Sequence, residues 1–294
     1  SGPQSRGLGD VYKRQTLRFL LSNLHGFDPV RNKMPFDEMV ALDRWAVDKA
    51  WQLQQEITRA YAEYNFHIIY QKVLNFCVAD MGGFYLDVIK DRQYTMATDS
   101  LGRRSCQTAM YHIAEAMVRW LAPVLSFTAD EAWGFMPGER SDSVFLETWY
   151  DGLEPMQDAA AARVYWGMIS DVRSAVSKQL EGMRKDGVIG ASLDAEVDLY
   201  CDEDLYAQLA KLGDELRFVL ITSYARIHPW SEAGEDAREC EVAGLRVAAA
   251  ASGHDKCPRC WHHREDVGRS AEHPQLCGRC VENLGEAGET RSFA

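Results

Sequence analysis

The chain has 294 residues, of which 46% are hydrophobic and 11% aromatic, enough to form two or three domains with apolar cores. Its formal net charge of -12 argues against a protein that coats nucleic acid indiscriminately, because such proteins are usually basic throughout. No stretch reaches the roughly 20 uninterrupted apolar residues that a membrane span needs. We also find no signal peptide, so we predict a protein of the reducing cytosol.

The first half of the chain predicts helices. Residues 1–15 show neither helical nor strand periodicity, and we interpret them either as a disordered tail or as a segment foreign to the rest. From Thr16 onward apolar residues recur at spacings of three and four, which is typical of amphipathic helices. The predicted helices begin at Thr16 and Asp37 and cover about 64–89, 103–121 and 128–135, the last from a capping box of Thr128 and Glu131. We therefore predict an antiparallel helical bundle over residues 16–153.

The spacing of apolar residues changes after residue 153, which indicates a second domain. One more helix is predicted over 159–184, and the alternation in Glu196–Cys201 is typical of a half-buried strand. Two further strands are predicted over 218–222 and 245–249, and a helix over 203–212. The sequence thus predicts a small α+β domain over 154–253, followed by a separate module over 254–294.

Four of the eight cysteines form two pairs near the end of the chain. Cys257-Pro-Arg-Cys260 and Cys277-Gly-Arg-Cys280 are C-x2-C motifs separated by sixteen residues, a spacing typical of zinc ribbons. Each motif places two sulfurs on one tight turn, and the connecting loop brings the turns together to complete a tetrahedron. Four thiolates leave zinc no open position to activate water. The sequence therefore predicts one structural Zn²⁺ ion, whose binding supplies the folding free energy of this small module.

Two disulfides or redox chemistry are the alternative for these cysteines, and a reducing cytosol disfavours both. The neighbouring histidines could replace a ligand, but with four cysteines available we expect them to face solvent or to lie outside the ligand shell; they are His254, His262, His263 and His273. The remaining cysteines, Cys77, Cys106, Cys201 and Cys240, are expected to be small buried hydrophobes.

The predicted zinc module also carries the residues best suited to contact RNA. Trp261 directly follows a predicted ligand, and Arg259, Arg264 and Arg279 lie near it in the sequence. Guanidinium groups beside an indole suit phosphates and an unstacked base. The alternative is that Trp261 is the only large core residue of the module. The sequence leaves both interpretations open.

A second basic cluster consists of Lys90, Arg92, Arg103 and Arg104, at the end of one predicted helix and the start of the next. Surface salt bridges explain such clusters more often than RNA does, so these residues are weaker candidates. The chain contains none of the motifs of phosphate-binding loops, dinucleotide-binding folds, zinc proteases or serine hydrolases. We predict no catalytic residue.

Several segments resemble the bacterial isoleucyl-tRNA synthetases. In the predicted bundle these are Thr16-Leu-Arg-Phe-Leu-Leu-Ser-Asn-Leu24, Leu42-Asp-Arg-Trp-Ala46, Phe84-Tyr-Leu-Asp-Val-Ile-Lys-Asp-Arg-Gln-Tyr94 and Leu125-Ser-Phe-Thr-Ala-Asp-Glu-Ala-Trp133, which are similar to the anticodon-binding bundle of that family. Cys257-Pro-Arg-Cys-Trp-His262, Cys277-Gly-Arg-Cys280 and Arg291-Ser-Phe-Ala294 are similar to its carboxy-terminal zinc finger. The resemblance runs in one register from about Thr16 to Ala294.

The resemblance implies that this chain is the carboxy-terminal third of a longer cytoplasmic enzyme. In this family the whole enzyme, which we expect to be a monomer, charges tRNA(Ile) with isoleucine and edits mischarged tRNA. The family's HIGH and KMSKS signatures are absent here. The resemblance therefore implies a portion that is inactive alone, with ATP and Mg²⁺ bound only in a missing catalytic domain. It also implies that the bundle and the zinc module bind the anticodon stem-loop.

Two other classes remain as alternatives. A free-standing, zinc-containing RNA-binding protein without ligase activity would share these features, and finding the catalytic motifs upstream in the parent reading frame would decide against it. A DNA-repair glycosylase also ends in a four-cysteine finger. That class needs an amino-terminal proline followed by glutamate, whereas this chain begins Ser1-Gly-Pro-Gln4.

Overall fold

The structure, a computed structural model that describes residues 3–285 and 288–294, divides the chain into two units. One unit holds the described residues up to Gln93 together with Leu101–Ala159. The other holds Tyr94–Ser100 and Ala160–Ala294. The first is a helical bundle, and the second contains a small sheet and the four clustered cysteines, so the predicted fold class is confirmed. The ranges 154–253 and 254–294, which we predict as two domains, fall almost wholly into one unit.

The helical unit is built around one almost completely buried helix. Its helices are α1 (Pro3–Asn23), α2 (Ala41–Ala62), α3 (Phe66–Asn75), α4 (Leu86–Thr95), α5 (Leu101–Leu121) and α6 (Ser126–Phe135), with a π-helical segment, Phe76–Tyr85, between α3 and α4. Helix α5 packs against α1, α2 and α6. The predicted stripe of α5, including Ile113 and Trp120, is fully buried, and so are most of its other side chains. Helix α5 ends shortly before Pro123, as proline requires.

Three expectations for this unit need correction. The tail predicted as disordered is helical from Pro3 onward, because α1 extends towards the amino terminus from the apolar stripe that contains Leu17; residues 1–2 lie outside the described range. Asp37 lies in a separate 3-10 turn, Phe36–Glu38, and the long helix begins only at Ala41. The Thr128 capping box is absent, because the helix begins at Ser126 and Thr128 lies within it.

The second unit combines a four-stranded sheet with helices. Its elements are α7 (Ala159–Lys185), β1 (Ala195–Cys201), α8 (Glu203–Ala210), α9 (Leu216–Leu220), β2 (Tyr224–Pro229), β3 (Arg238–Glu239), β4 (Leu245–Ala251) and α10 (Gly278–Glu282). The strand order is β2-β1-β4-β3. Strand β1 alternates between buried and half-buried residues, as its sequence predicts, and its buried side chains include Val197 and Leu199. Helix α7 reaches β4 through a hydrogen bond from Gln179 Nε2 to the Val247 carbonyl, 3.2 Å.

The strand predicted over 218–222 is wrong. Leu216–Leu220 form helix α9, and Ile221 ends it in a left-handed conformation, with φ of 55°. The reason is topological: β1 and β2 are parallel, so the chain must cross over between them, and α8 and α9 supply that connection. A five-residue apolar run cannot be assigned to strand or helix from its periodicity alone.

Within residues 3–285 and 288–294, no helix has the length and apolar character that crossing a membrane requires.

Candidate metal centre

The four cysteine sulfurs form a compact, buried cluster. The Sγ atoms of Cys257, Cys260, Cys277 and Cys280 all lie within 4.8 Å of one another. The sulfurs of Cys260 and Cys277 are 3.7 Å apart. A tetrahedral zinc ion with Zn–S bonds of about 2.3 Å requires sulfurs about 3.8 Å apart, so the measured separation fits that ion. The sulfurs remain thiols rather than disulfides in this structure.

The first C-x2-C motif lies on a hairpin. Lys256 and His263 pair as an antiparallel bridge, and the Cys257 N–H donates to the His262 carbonyl at 2.9 Å. The Trp261 N–H donates to the Cys257 carbonyl at 2.8 Å, which closes a tight turn between the two strands of the hairpin. This turn brings Cys257 and Cys260 to the same side of the backbone.

The second motif begins a short helix. Cys277 immediately precedes α10, and Cys280 lies within that helix one turn later. The Cys277 N–H points to the Cys257 sulfur at 3.5 Å, so a backbone donor from the second motif faces a sulfur of the first. The Gly278 N–H donates to the Asp266 carboxylate at 3.0 Å, which fixes the connecting loop against the start of α10.

Three of the four thiols, those of Cys260, Cys277 and Cys280, control one another's ionisation. The S–H groups of Cys277 and Cys280 donate to the sulfur of Cys260 and lower its pKa far below the usual range. The same contact with Cys260 raises the pKa of Cys277 to about 12 and that of Cys280 still further. As free thiols the cluster therefore stabilises one thiolate, and a bound cation is needed to stabilise four.

Trp261 is an exposed residue and not a core residue. Its relative exposure is 63%, whereas the preceding Cys260 and the following His262 are 7% and 2% exposed. Its φ of 66° lies in the left-handed region, which is rare and costly for a bulky side chain. The alternative in which Trp261 forms the core of the module is therefore wrong. The large buried aromatic ring beside this turn is Phe218 of helix α9, 4% exposed.

The histidines near the cluster differ from one another in environment. The side chain of His254 is 41% exposed, whereas His262 is buried and lies outside the group of four cysteines, in line with the second of the two expected placements. The His262 ring lies 5.6 Å from the Phe218 ring, edge to face, and its Nδ1 donates to the Cys260 carbonyl at 3.2 Å. Nδ1 must carry the proton, because a carbonyl oxygen only accepts.

The three arginines predicted to contact RNA all make protein contacts within the second unit. Arg259 donates to the Thr95 carbonyl at 2.8 Å, and Arg264 donates to the Ser223 carbonyl at 2.9 Å. Arg279 forms an ion pair with Glu289 at 2.9 Å, with its side chain only 11% exposed. Their first role in this fold is to attach the cysteine module to neighbouring segments of the same unit. Arg269, in the loop between the two motifs, is exposed.

The second basic cluster does not form one surface, and the predicted RNA contacts of two of its residues need correction. Arg92 is completely buried and pairs with Asp43, so it cannot contact tRNA in this fold. Arg104 is only 9% exposed and donates to Gln107 at 2.9 Å. Both contribute to the interior of the bundle. Lys90 is exposed and pairs with Asp87 at 3.0 Å, and Arg103 is half-buried.

The last segment of the chain is held by residues that no sequence pattern identifies. The Glu215 carboxylate accepts hydrogen bonds from the N–H groups of Ser292, Phe293 and Ala294, at 2.9, 2.7 and 2.8 Å. The Arg291 guanidinium lies 3.3 Å from the centre of the Phe218 ring. These contacts pack residues 291–294 against the segment Glu215–Phe218. The terminal Arg-Ser-Phe-Ala motif was the only available signal, and it does not identify Glu215 as its partner.

Comparison with known proteins agrees with this geometry. A profile described as the anticodon-binding domain of tRNA ligase matches residues 43–199, and a profile of the zinc finger found in FPG and IleRS matches residues 255–283. The finger profile covers two kinds of protein, so the longer match decides the class. Because that match extends over more than half of the residues, the chain belongs to the family of tRNA ligase anticodon-binding domains.

More specifically, the chain is homologous to the carboxy-terminal part of isoleucine–tRNA ligases. It is 59% identical over 290 residues to the isoleucine–tRNA ligase of Nitrosococcus oceani, an alignment that covers 98% of this chain and 31% of that protein. The enzymes of Pseudomonas aeruginosa and Methylococcus capsulatus are 58% and 57% identical, each over 97% of this chain. The chain thus spans about three tenths of the length of these relatives. These alignments cover nearly the whole chain, so they extend into residues 1–15. This disagrees with the interpretation of those residues as foreign to the rest.

Proposed function

We propose that this chain is the tRNA-recognition portion of a cytoplasmic isoleucine–tRNA ligase and that it binds the anticodon stem-loop of tRNA(Ile). The relatives favour this interpretation over a free-standing RNA-binding protein. The complete enzyme is a monomer. Isoleucine, ATP and Mg²⁺ bind to its catalytic domain, which this chain does not include. The chain alone is then catalytically inactive.

The proposed metal ligands are Cys257, Cys260, Cys277 and Cys280. The support is the sulfur geometry: four buried sulfurs within 4.8 Å leave room for one tetrahedral ion and no position for a water molecule. The zinc ion would hold the two motifs together and contribute folding free energy. The recognition chemistry belongs to the side chains that the motifs position.

The observation that carries the RNA-binding proposal is the exposure of Trp261. A 63% exposed indole, held in a costly backbone conformation next to a metal ligand, is poorly explained by folding stability. It is well explained by stacking on an unpaired base of the anticodon loop. Exposed Arg269 lies on the same module and can supply a phosphate contact. Arg259, Arg264, Arg279, Lys90 and Arg103 remain weaker proposed contacts, because their protein partners compete with RNA.

The test is binding of the zinc-loaded chain to tRNA(Ile) and to a non-cognate tRNA across a salt series, before and after chelation. We expect a preference for tRNA(Ile) that disappears with zinc and that Trp261→Ala also removes. A shallow salt dependence should accompany it, because few phosphates are contacted. Equal and zinc-independent binding of both tRNAs would refute the proposed recognition. Isoleucine-dependent aminoacylation by this chain alone would refute its proposed inactivity.

A further inference from the structure

The turn that carries Trp261 needs something to hold it in place. The left-handed conformation is unfavourable for a non-glycine residue, and Trp261 gains little packing in return, because its side chain is largely exposed. The residues on both sides of it are buried. Two inward-facing neighbours and one outward-facing indole define the orientation of Trp261. The contacts of these neighbours therefore determine whether the indole is presented to a ligand.

His262 makes the contacts that close this turn. Its Nδ1–H donates to the carbonyl of Cys260, and this hydrogen bond bridges the backbone on either side of Trp261. Its ring packs edge to face on Phe218, which anchors the turn to helix α9. Its own carbonyl accepts from the Cys257 N–H at 2.9 Å. Side chain and backbone of His262 thus restrain the two ends of the same short loop.

His262 is not placed as a metal ligand. The group of potential ligands whose donor atoms lie close together contains only the four cysteines, within the part of the chain that the structure describes. In the same range, Nε2 of His262 makes no hydrogen bond. The polar interactions of this imidazole are all with Cys260: Nδ1–H donates to its carbonyl, and the side chain also interacts with its sulfur. A residue that only filled space would not need that donor.

We propose that His262 is a positioning residue, whose Nδ1–H bond to the Cys260 carbonyl and packing on Phe218 hold the left-handed turn that presents Trp261 to RNA. The assignment of RNA as the ligand rests on the proposed function. The orientation of the indole by His262 does not. The two can therefore be tested separately.

Two substitutions of nearly equal shape separate positioning from packing. Both His262→Asn and His262→Leu remove the ring from Phe218, but asparagine can place an N–H group close to the position of Nδ1–H. His262→Asn should therefore preserve the turn, and His262→Leu should release it. Zinc content, measured for both purified full-length variants, shows whether the cysteine module is still assembled.

The orientation of Trp261 is read by ¹⁹F NMR of the chain labelled with 5-fluorotryptophan. The chain contains eight tryptophans, so the Trp261 resonance is assigned by its loss in Trp261→Phe. We expect His262→Leu to shift and broaden that resonance at full zinc content, and His262→Asn to leave it near the wild-type position. An unchanged Trp261 resonance in His262→Leu overturns the proposal. So does loss of zinc from both variants, because His262 would then be needed for assembly of the module.

Binding to tRNA(Ile) completes the test. We expect His262→Leu to weaken binding about tenfold, an effect within the range for loss of one base–aromatic stack, and His262→Asn to retain most of the affinity. In a Trp261→Ala background, His262→Leu should have no further effect, because the residue it positions is gone. An equal loss in both backgrounds overturns the positioning role. If Trp261→Ala itself leaves tRNA binding unchanged, the proposed RNA contact fails, and the ¹⁹F resonance still decides the role of His262.

Discussion

Asp43 and Arg92 form a bidentate ion pair in the interior of the bundle. Both side chains are completely buried, and the two N–O distances are each 2.7 Å. The hydroxyls of Tyr85 and Ser105 also donate to the Asp43 carboxylate, and Arg92 donates to the Gly102 carbonyl. Burial alone would lower the pKa of Arg92, but the charge of Asp43 raises it, so the guanidinium stays protonated. The pair connects α2, α4 and the beginning of α5.

We expect Arg92→Leu to destabilise the bundle by about 3–5 kcal/mol, because it leaves the Asp43 carboxylate buried without its partner. The double variant with Asp43→Leu and Arg92→Met replaces both residues with apolar ones. It should lose clearly less free energy of unfolding than the two single variants lose in sum. Urea unfolding of the full chain, followed by circular dichroism, measures both. Lys90→Leu is the matched control, since its surface pair with Asp87 should contribute no more than about 1 kcal/mol. Equal effects at positions 90 and 92 would contradict this account.

The buried imidazole of His112 should make the stability of the bundle depend on pH. Burial lowers its pKa from 6.5 to about 4, with a further contribution from Lys33, while Glu115 acts in the opposite direction. The unfolded chain therefore binds a proton at a higher pH than the folded chain does. Stability is present above pH 6.5 and declines as the pH falls towards 4, by up to about 3 kcal/mol.

His112→Gln should remove this part of the pH dependence. The ring also contacts the Tyr150 hydroxyl at 2.7 Å, so we expect the variant to be less stable at pH 7 as well. Urea midpoints of both proteins between pH 4.5 and 7.5 provide the comparison. The difference between them should shrink as the pH falls. A constant difference would show that His112 titrates equally in the folded and unfolded states.

The clustered cysteines should respond to substitution differently from the scattered ones. Cys260→Ser removes one of four sulfurs and should abolish tight zinc binding and unfold the surrounding module. Cys240→Ser is the matched control, because Cys240 is half-buried and lies outside the cluster. Zinc content by mass spectrometry and amide hydrogen exchange over residues 255–283 measure the outcome. Full zinc retention by Cys260→Ser would contradict the assignment of that ligand.

The carboxylate of Glu215 should stabilise the packing of the last residues. It accepts three backbone N–H groups, which is near the capacity of a carboxylate. Glu215→Gln replaces one acceptor oxygen with a donor, and we expect a loss of about 1–3 kcal/mol and faster amide exchange at Ser292–Ala294. Glu203→Gln, at an exposed position in the first turn of α8, is the control. Unchanged exchange at residues 292–294 would show that Glu215 does not hold them.

Features with a short-range cause were predictable from the sequence. The helical period identified α5 and α7, because one buried face of a helix repeats every three to four residues. The spacing of the cysteine motifs identified the metal centre, because two tight turns and a loop suffice to assemble it. Strands β1 and β4 were also predicted correctly from their composition and alternation.

Features that depend on distant partners were not predictable. Arg92 looks like a surface cation in its own segment, and its buried role depends on Asp43, which is 49 positions away. The 218–222 segment is helical because β1 and β2 are parallel, which no local pattern reveals. The exposure of Trp261 likewise depends on the burial of His262 against Phe218. In each case the decisive contact is made by a residue outside the local sequence window.

Because Trp261 has a left-handed conformation, glycine and alanine at this position should differ in their effect on stability but not in their effect on binding. At a position with ordinary backbone angles, a protein with glycine is less stable than one with alanine by about 0.5–1 kcal/mol. At a left-handed position this order reverses. We therefore expect Trp261→Gly to be more stable than Trp261→Ala by about 1 kcal/mol, measured as resistance of the zinc site to a chelator. Both variants should lose tRNA(Ile) binding to the same extent, because both lack the indole. Exposed Glu265, whose φ is negative, is the control position, where alanine should be the more stable. If the alanine variant is also the more stable one at position 261, the turn is not strained. The backbone conformation of Trp261 would then need no explanation by binding.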